Sequence, residues 1–189
     1  LPARELHLTG APDAEPWVRL LADMTGDELK IHKYDRLVPL ELTEGPVRAG
    51  EVRPGDAIIA FSRARVLELR EAFRAAGREV ATIYGALSPE VRREEARRFR
   101  TGEVAFLVAT DAIGMGLNLP IRRVLLAEGV KFDGVSRRPL LDSEIRQIVG
   151  RAGRFGLNDG EAGLTAAYAS AEGAAPLHDR IGLAISGLP

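Results

Sequence analysis

Cysteine is absent from the 189 residues. Disulfides, thiolate zinc sites and cysteine nucleophiles are thereby excluded, and His7, His32 and His178 stand too far apart in sequence to suggest a metal cluster, so no metal site is expected. Long apolar runs are missing as well. The longest, such as Ala57 to Phe61 and Val124 to Ala127, are strand-length, far short of the ~20 residues of a membrane helix, and no membrane partner is expected. Nothing resembles a positively flanked signal peptide. Lysine is scarce: Lys30, Lys33 and Lys131 are the only three, and every other basic residue is arginine. None of the three follows a G-x-x-x-x-G-K-[ST] run, so the chain lacks a P-loop and cannot hold ATP in the usual way. An excess of one charge is also lacking, with 26 basic residues against 27 acidic ones. A nucleic-acid partner therefore cannot be inferred from net charge and would need a local basic groove.

Alternating strand and helix patterns dominate from residue 56 onward, the signature of βαβ units and a parallel sheet. Asp56 to Phe61 reads as a buried strand, and Arg63 to Ala76 as a helix with Val66, Leu69, Phe73 and Ala76 on one face, stopped by Gly77. Glu79 to Tyr84 reads as the next strand. Ser88 as N-cap and Pro89 at the first helical position open a helix reaching about Arg100. Val104 to Val108, Arg123 to Ala127 and Ala162 to Tyr168 read as further strands, with a polar loop through Lys131 to Arg138 and a short helix capped by Asp142 or Ser143 between the last two. Before residue 56, Glu5 to Leu8 reads as a strand end, Asp13 to Thr25 as a helix, and Glu28 to Tyr34 and Val38 to Leu42 as two more strands. The alanine- and glycine-rich tail from Ala171 has helical character near His178 to Ile185. No internal repeat is visible.

Four segments carry chemistry. Gln147 to Arg154 forms a Q-x-x-G-R-x-G-R array. Arg151 and Arg154, separated from bulky neighbours by Gly150 and Gly153, can point at one polyanion, and guanidinium forks bind phosphoryl oxygens bidentately. The alternative is a pair of surface arginines on a glycine-rich turn. Thr110, Asp111, Gly114 and Gly116 follow a buried strand, at the carboxyl end where ligands bind in open parallel sheets. Thr110 offers a hydroxyl, the glycines allow close backbone approach to phosphates, and Asp111 can accept from a ribose or orient an arginine. A strand-to-helix turn with glycines chosen for conformation explains the same residues. Phe61, Ser62 and Arg63, and Tyr84 and Gly85 with Ser88, place small polar groups on the same rim, where helix capping is the simpler reading. Asp27-Glu28-Leu29-Lys30 mimics a Walker B box but lacks a preceding buried strand.

Phe61-Ser62, the Tyr84 to Pro89 turn, Thr110 to Asn118 and Gln147 to Arg154 resemble, in order and spacing, motifs IV, IVa, V and VI of superfamily 2 helicases. The runs ATDAIGMGLN, IRRV, KFDG and EIRQIVGRAGRFG, with LHLTG and RPGDAIIAFSR before them, are similar to the mitochondrial-degradosome type of DExH RNA helicase and its bacterial relatives. The likeness covers nearly the whole chain. Ile148 departs from the DEAD-box form, which carries an arginine there.

The resemblance implies an α/β, RecA-like three-layer sandwich with a mainly parallel sheet and helices on both faces. It implies residues 1–26 as a linker or end of an upstream first RecA-like domain, 27–170 as the second RecA-like domain, and 171–189 as the start of a C-terminal extension. Leu1 reads as a cut end, and a P-loop domain is expected before it. Arg154 then resembles the arginine finger, Arg151 its companion on the triphosphate, and Gln147 a polar contact to nucleotide; Asp111, Gly114 and Gly116 would line the nucleotide cleft. Ser62, Arg63, Gly85 and Thr110 would hold the nucleic-acid backbone. The cofactor implied is ATP with Mg2+ in a full-length enzyme, with none tightly held by this piece, and the partners are RNA, the upstream P-loop domain and an exoribonuclease. The compartment expected first is a bacterial cytoplasm, with a mitochondrial matrix for a eukaryotic source. Rival readings are a DNA helicase or translocase motor and a non-catalytic nucleic-acid-binding module with a helicase-like fold.

Overall fold

Two adjacent central strands, Asp56–Ile59 and Arg123–Leu126, are buried from end to end and organise the main body of the fold. The computed structural model describes residues 4–10, 12–34, 36–114, 117–153, 161–169 and 174–186. It divides into two compact units, Leu1–Asp35 and Arg36–Pro189, so residues 27–35 group with the N-terminal unit and the tail groups with the main one.

In the smaller unit a 3-10 turn, Pro12–Ala14, leads into α1, Glu15–Thr25. Gly26, in the left-handed region at φ 72°, ends it by donating its N–H to the Ala22 carbonyl. The strands expected over Glu5 to Leu8 and Glu28 to Tyr34 do not form: both segments are irregular and, Leu29 apart, exposed. A strand needs a partner for its N–H and C=O groups, and alternation of apolar residues does not supply one.

The main unit contains β1 (Leu40–Leu42), β2 (Val47–Arg48), β3 (Asp56–Ile59), α2 (Arg63–Ala75), β4 (Val80–Ile83), α3 (Pro89–Arg100), β5 (Phe106–Ala109), β6 (Arg123–Leu126), β7 (Val130–Phe132), β8 (Arg137–Pro139), α4 (Asp142–Val149), β9 (Gly163–Ala169) and α5 (Ala174–Ile185). The sheet runs β1-β9-β6-β3-β5-β4, with β2 also pairing β9, and all of these pairings are parallel. Ile58 of β3 pairs with Val108 on one side and Leu125 on the other. These strands are covered on both faces, which is why they read as unbroken apolar runs.

Side-chain alternation splits the core into two layers. Ala57, Ile59, Leu107, Ala109, Val124, Leu126 and Ala167 join the core built with α3, α4 and α5, while Ile58, Ala60, Val108, Leu125 and Ala166 join that built with α2. Ser62 caps α2 by accepting the Arg65 N–H at 3.1 Å, and Val66, Leu69 and Phe73 form its buried stripe. Ser88 caps α3, with Pro89 at its first turn and Ala96 and Phe99 buried.

Two segments differ from expectation. The supposed loop after Lys131 is an antiparallel hairpin, β7 with β8, turned by Asp133, whose Oδ1 accepts the N–H groups of Val135 and Ser136 at 2.9 Å each. It lacks a buried face, so it has no apolar period to be read. The cap of α4 is Leu141, one residue before Asp142 and two before Ser143, the expected caps, and the Glu144 carboxylate accepts the Leu141 N–H at 2.8 Å in place of a capping side chain.

Candidate functional site

Adjacent strands that send their chains to opposite faces open a crevice at their carboxyl ends. β3 exits to α2 on one face; β5 exits to a turn whose Ile113, Leu119 and Ile121 pack into the other. At that point lies a cleft of about 510 Å³. Ser62, Arg63, Gly85, Thr110, Asp111, Gln147 and Arg151 all line it. Residues from four segments spread over some ninety positions of sequence thus meet on one wall, because parallel strands deliver every carboxyl end to the same edge.

Each segment is fixed locally. The Phe61 N–H donates to Glu128 Oε2 at 3.0 Å, starting the turn that presents Ser62. The Arg63 guanidinium sits 5.3 Å from the centre of the Tyr84 ring, a cation–π contact at the cleft wall. The Gly85 carbonyl accepts from Arg92 Nη2 at 3.1 Å. Thr110 is buried; its N–H donates to the Ile83 carbonyl at 2.9 Å and its Oγ1 accepts the Ala112 N–H at 3.3 Å. Asp111 begins a 3-10 turn that closes at Gly114, and the Ile113 N–H donates back to the Thr110 carbonyl at 3.2 Å. Two amides of this turn are therefore spent within it. Gly116 and Arg154 lie outside the described residues.

Gln147 projects, exposed, from the last turn of α4, and Arg151 stands two residues beyond its end. Gly153 adopts φ 61°, and a Cβ there would meet the Gly163 backbone at 2.4 Å. That glycine is required by this approach of the turn to β9; the sequence suggested the different reason of space around the arginines.

The cleft has residues that motif reading did not single out. Lys131, on β7, places its Nζ 3.4 Å from Asp111 Oδ2 and 3.0 Å from Glu144 Oε1. Arg138, on β8, grips the same Glu144 carboxylate with both Nη groups, at 2.8 and 2.9 Å. These Arg138 hydrogen bonds, assisted by the Leu141 N–H and by Lys131, hold the Glu144 carboxyl far below the usual glutamate range against the opposing effect of burial. Glu144 in turn raises the Lys131 ammonium, with Asp111 adding to it. Asp111 is thus engaged by a lysine. Two sequence signals could have marked Lys131: the rarity of lysine in an arginine-rich chain and its place at the start of the family-like KFDG run.

Chemically, the wall offers guanidinium, ammonium, amide and hydroxyl groups from Arg63, Arg151, Lys131, Gln147 and Thr110, a donor set suited to phosphoryl oxygens. Among the described residues no group of acidic or histidine side chains is disposed to hold a metal ion.

Residues 33–156 match the family model described as helicase conserved C-terminal domain. The chain is 41% identical over 159 residues to the ATP-dependent RNA helicase SUV3, mitochondrial, of Candida albicans, covering 84% of this chain and 22% of that protein. It is 43% identical over 157 residues to the DExH-box ATP-dependent RNA helicase DExH16, mitochondrial, of Arabidopsis thaliana, covering 81% of this chain and 28% of that one. The chain therefore spans about a quarter of these relatives. Among solved structures, the C-terminal domain of the DEAD-box protein Dbp5 superposes with a TM-score of 0.54 at 16% identity, over 73% of this chain and 79% of that one. That likeness establishes the fold, an α/β RecA-like domain with a parallel sheet.

Proposed function

This chain belongs to the helicase conserved C-terminal domain family, and from that premise we propose that it is the second motor domain of an ATP-dependent DExH RNA helicase. The observation that carries the proposal is the meeting of Gln147 and Arg151 with Ser62, Gly85 and Thr110 on a single cleft. In this reading Arg151, with Arg154 beyond it, closes onto the phosphates of ATP presented by a P-loop domain in the same protein. ATP with Mg2+ supplies the transferable phosphoryl group. Arg154 stabilises the charge that develops on it, Arg151 and Gln147 orient the triphosphate, and Asp111, Gly114 and Gly116 form the adjoining rim. Ser62, Arg63, Gly85 and Thr110 grip the nucleic-acid backbone, and opening and closing of the cleft between the two domains alternates that grip.

The names of the relatives support RNA as the strand and support the mitochondrial compartment; the bacterial cytoplasm, expected first, draws no support from them. The resemblance to degradosome helicases extends the reading to an exoribonuclease that consumes the released strand.

In the full-length protein, Arg154→Ala is expected to lower RNA-stimulated ATP hydrolysis by roughly 10³- to 10⁵-fold, the worth of an arginine finger in GTPase systems. Nucleotide affinity should largely persist. Turnover near the parent's in a steady-state ATPase assay rejects the assignment.

A further inference from the structure

We propose that Arg36 is a positioning residue that locks the backbone on both sides of Arg151. The inference rests on the motor reading above and adds to it a residue outside every helicase-like motif.

After Val149 the chain leaves α4 and makes a tight turn through Gly150, Arg151, Ala152 and Gly153. Its N–H groups are all used: Gly150 donates to Arg146, Arg151 to Ile148 at 3.1 Å and Ala152 to Val149 at 3.0 Å, within the helix end, and Gly153 donates to the distant Ile121 at 2.8 Å. The carbonyls have a different fate. A helix end leaves its last C=O groups without partners inside the helix. Here the Arg36 guanidinium takes two of the carbonyls at this end, with Nη1 donating to Gly150 at 2.9 Å and Nη2 donating to Ala152. Its Nε donates to the Val38 carbonyl at 2.5 Å, which fixes the fork itself.

Gly150 and Ala152 are the immediate neighbours of Arg151, so the clamp holds the peptide unit that enters Arg151 and the one that leaves Ala152, bracketing the backbone that carries the Arg151 side chain. Arg36 stands 114 and 116 residues away from the carbonyls it binds. A positive group at a helix carboxyl end is also favoured by the helix dipole. Only a planar fork satisfies this geometry: three fixed donors meet three fixed carbonyls, whereas a lysine brings one rotating ammonium. Gly150 completes the device, since a Cβ there would lie 2.7 Å from the Arg146 carbonyl oxygen and force the turn open.

Arg36 does not line the cleft, so its loss should act on the placement of Arg151 and leave ligand contacts intact. A displacement of about 1 Å in a catalytic constellation costs on the order of 10²-fold in rate.

The test compares Arg36→Gln, Arg36→Lys and Arg151→Ala in the full-length protein by steady-state ATP hydrolysis with RNA, and in the 189-residue chain by thermal melting and amide hydrogen exchange. Expected for Arg36→Gln are a fall of about 10²-fold in kcat with KM for ATP little changed, and faster exchange at Ala152 and Gly153 with β3 and β6 amides unaltered. Arg36→Lys, which keeps the charge and guards against simple unfolding, should lie between Arg36→Gln and the parent in kcat with a melting temperature close to the parent's. Parental kcat in Arg36→Gln while Arg151→Ala is inactive overturns the proposal, as does a lowered melting temperature with no split between kcat and KM. Full activity in Arg151→Ala instead overturns the motor reading; the exchange rates then decide the clamp alone, faster exchange upholding it and unchanged exchange refuting it.

Discussion

Asp56 and Arg123, 67 residues apart, form a buried pair at the amino ends of β3 and β6. Arg123 Nε donates to Asp56 Oδ1 at 3.0 Å and Nη2 to Oδ2 at 2.6 Å, while Nη2 also reaches the Glu51 carbonyl and the Arg53 N–H donates to Asp56 at 2.8 Å. Every charge is answered, so removing one partner strands the other in the core. Arg123→Met is expected to cost about 3–5 kcal/mol in denaturant unfolding, and replacing both residues by apolar ones should recover much of the loss. Equal stability of parent and single variant would show that the pair is unimportant. At the opposite edge of the same sheet the residues proposed for the site could be picked out one by one, Ser62 as a cap, Thr110 at a strand end and Gln147 near a helix end. Their mutual distances could not, because nothing local in a sequence encodes which strands become neighbours.

α2 and α3 could be read to within a residue or two because cap, apolar stripe and stop all agree. α4 was legible in extent but not in its cap, and the β7–β8 hairpin was not legible, since hairpin and cap are tied to each other by charged side chains and have no apolar period. Arg138 and Lys131 reach from the hairpin to Glu144 on α4 and thereby fasten one cleft wall. This tie carries a pH dependence. Glu144 is held below its ordinary value of 4.5, so the folded state favours its ionised form. Its stabilisation is fully present above that value and is lost as pH falls through it towards the lower folded value. Thermal melts of Glu144→Gln should show lower stability than the parent at neutral pH and a smaller loss on acidification. Parallel acid limbs for the two proteins would contradict the assignment.

At the scale of the whole molecule, the main unit includes α5, which lies in the stretch expected to start a C-terminal extension. α5 buries Leu177, His178, Ile181 and Ala184 and belongs to the same compact unit as the sheet. His178 Nδ1 accepts the Ala167 N–H at 3.4 Å, and the opposite ring nitrogen pairs with the Thr43 carbonyl at 3.0 Å, so this side chain bridges β9 and the connection after β1. Each fully buried Leu or Ile is worth about 1.5–3 kcal/mol, against a total stability of roughly 5–15 kcal/mol for a domain. A chain ending at residue 173 is therefore expected to lose cooperative unfolding and to bind a dye that reports exposed apolar surface. A sharp melt close to the parent's would place α5 outside the folding unit.

By itself the sequence determined the class of molecule: apolar runs of strand length between amphipathic stretches permit a parallel sheet, and the motif segments carry the resemblance to the helicase C-terminal domain family. Local hydrogen bonding and side-chain period act over a few residues, which is why caps, stripes and turns could be read directly. Only tertiary structure decided which carboxyl ends share a cleft, that Lys131 and Glu144 stand in it, and that Arg36 grips the turn around Arg151. Those facts arise from strand order and from contacts between segments separated by thirteen to more than a hundred residues, where the interaction is set by three-dimensional packing and leaves no periodic trace along the chain.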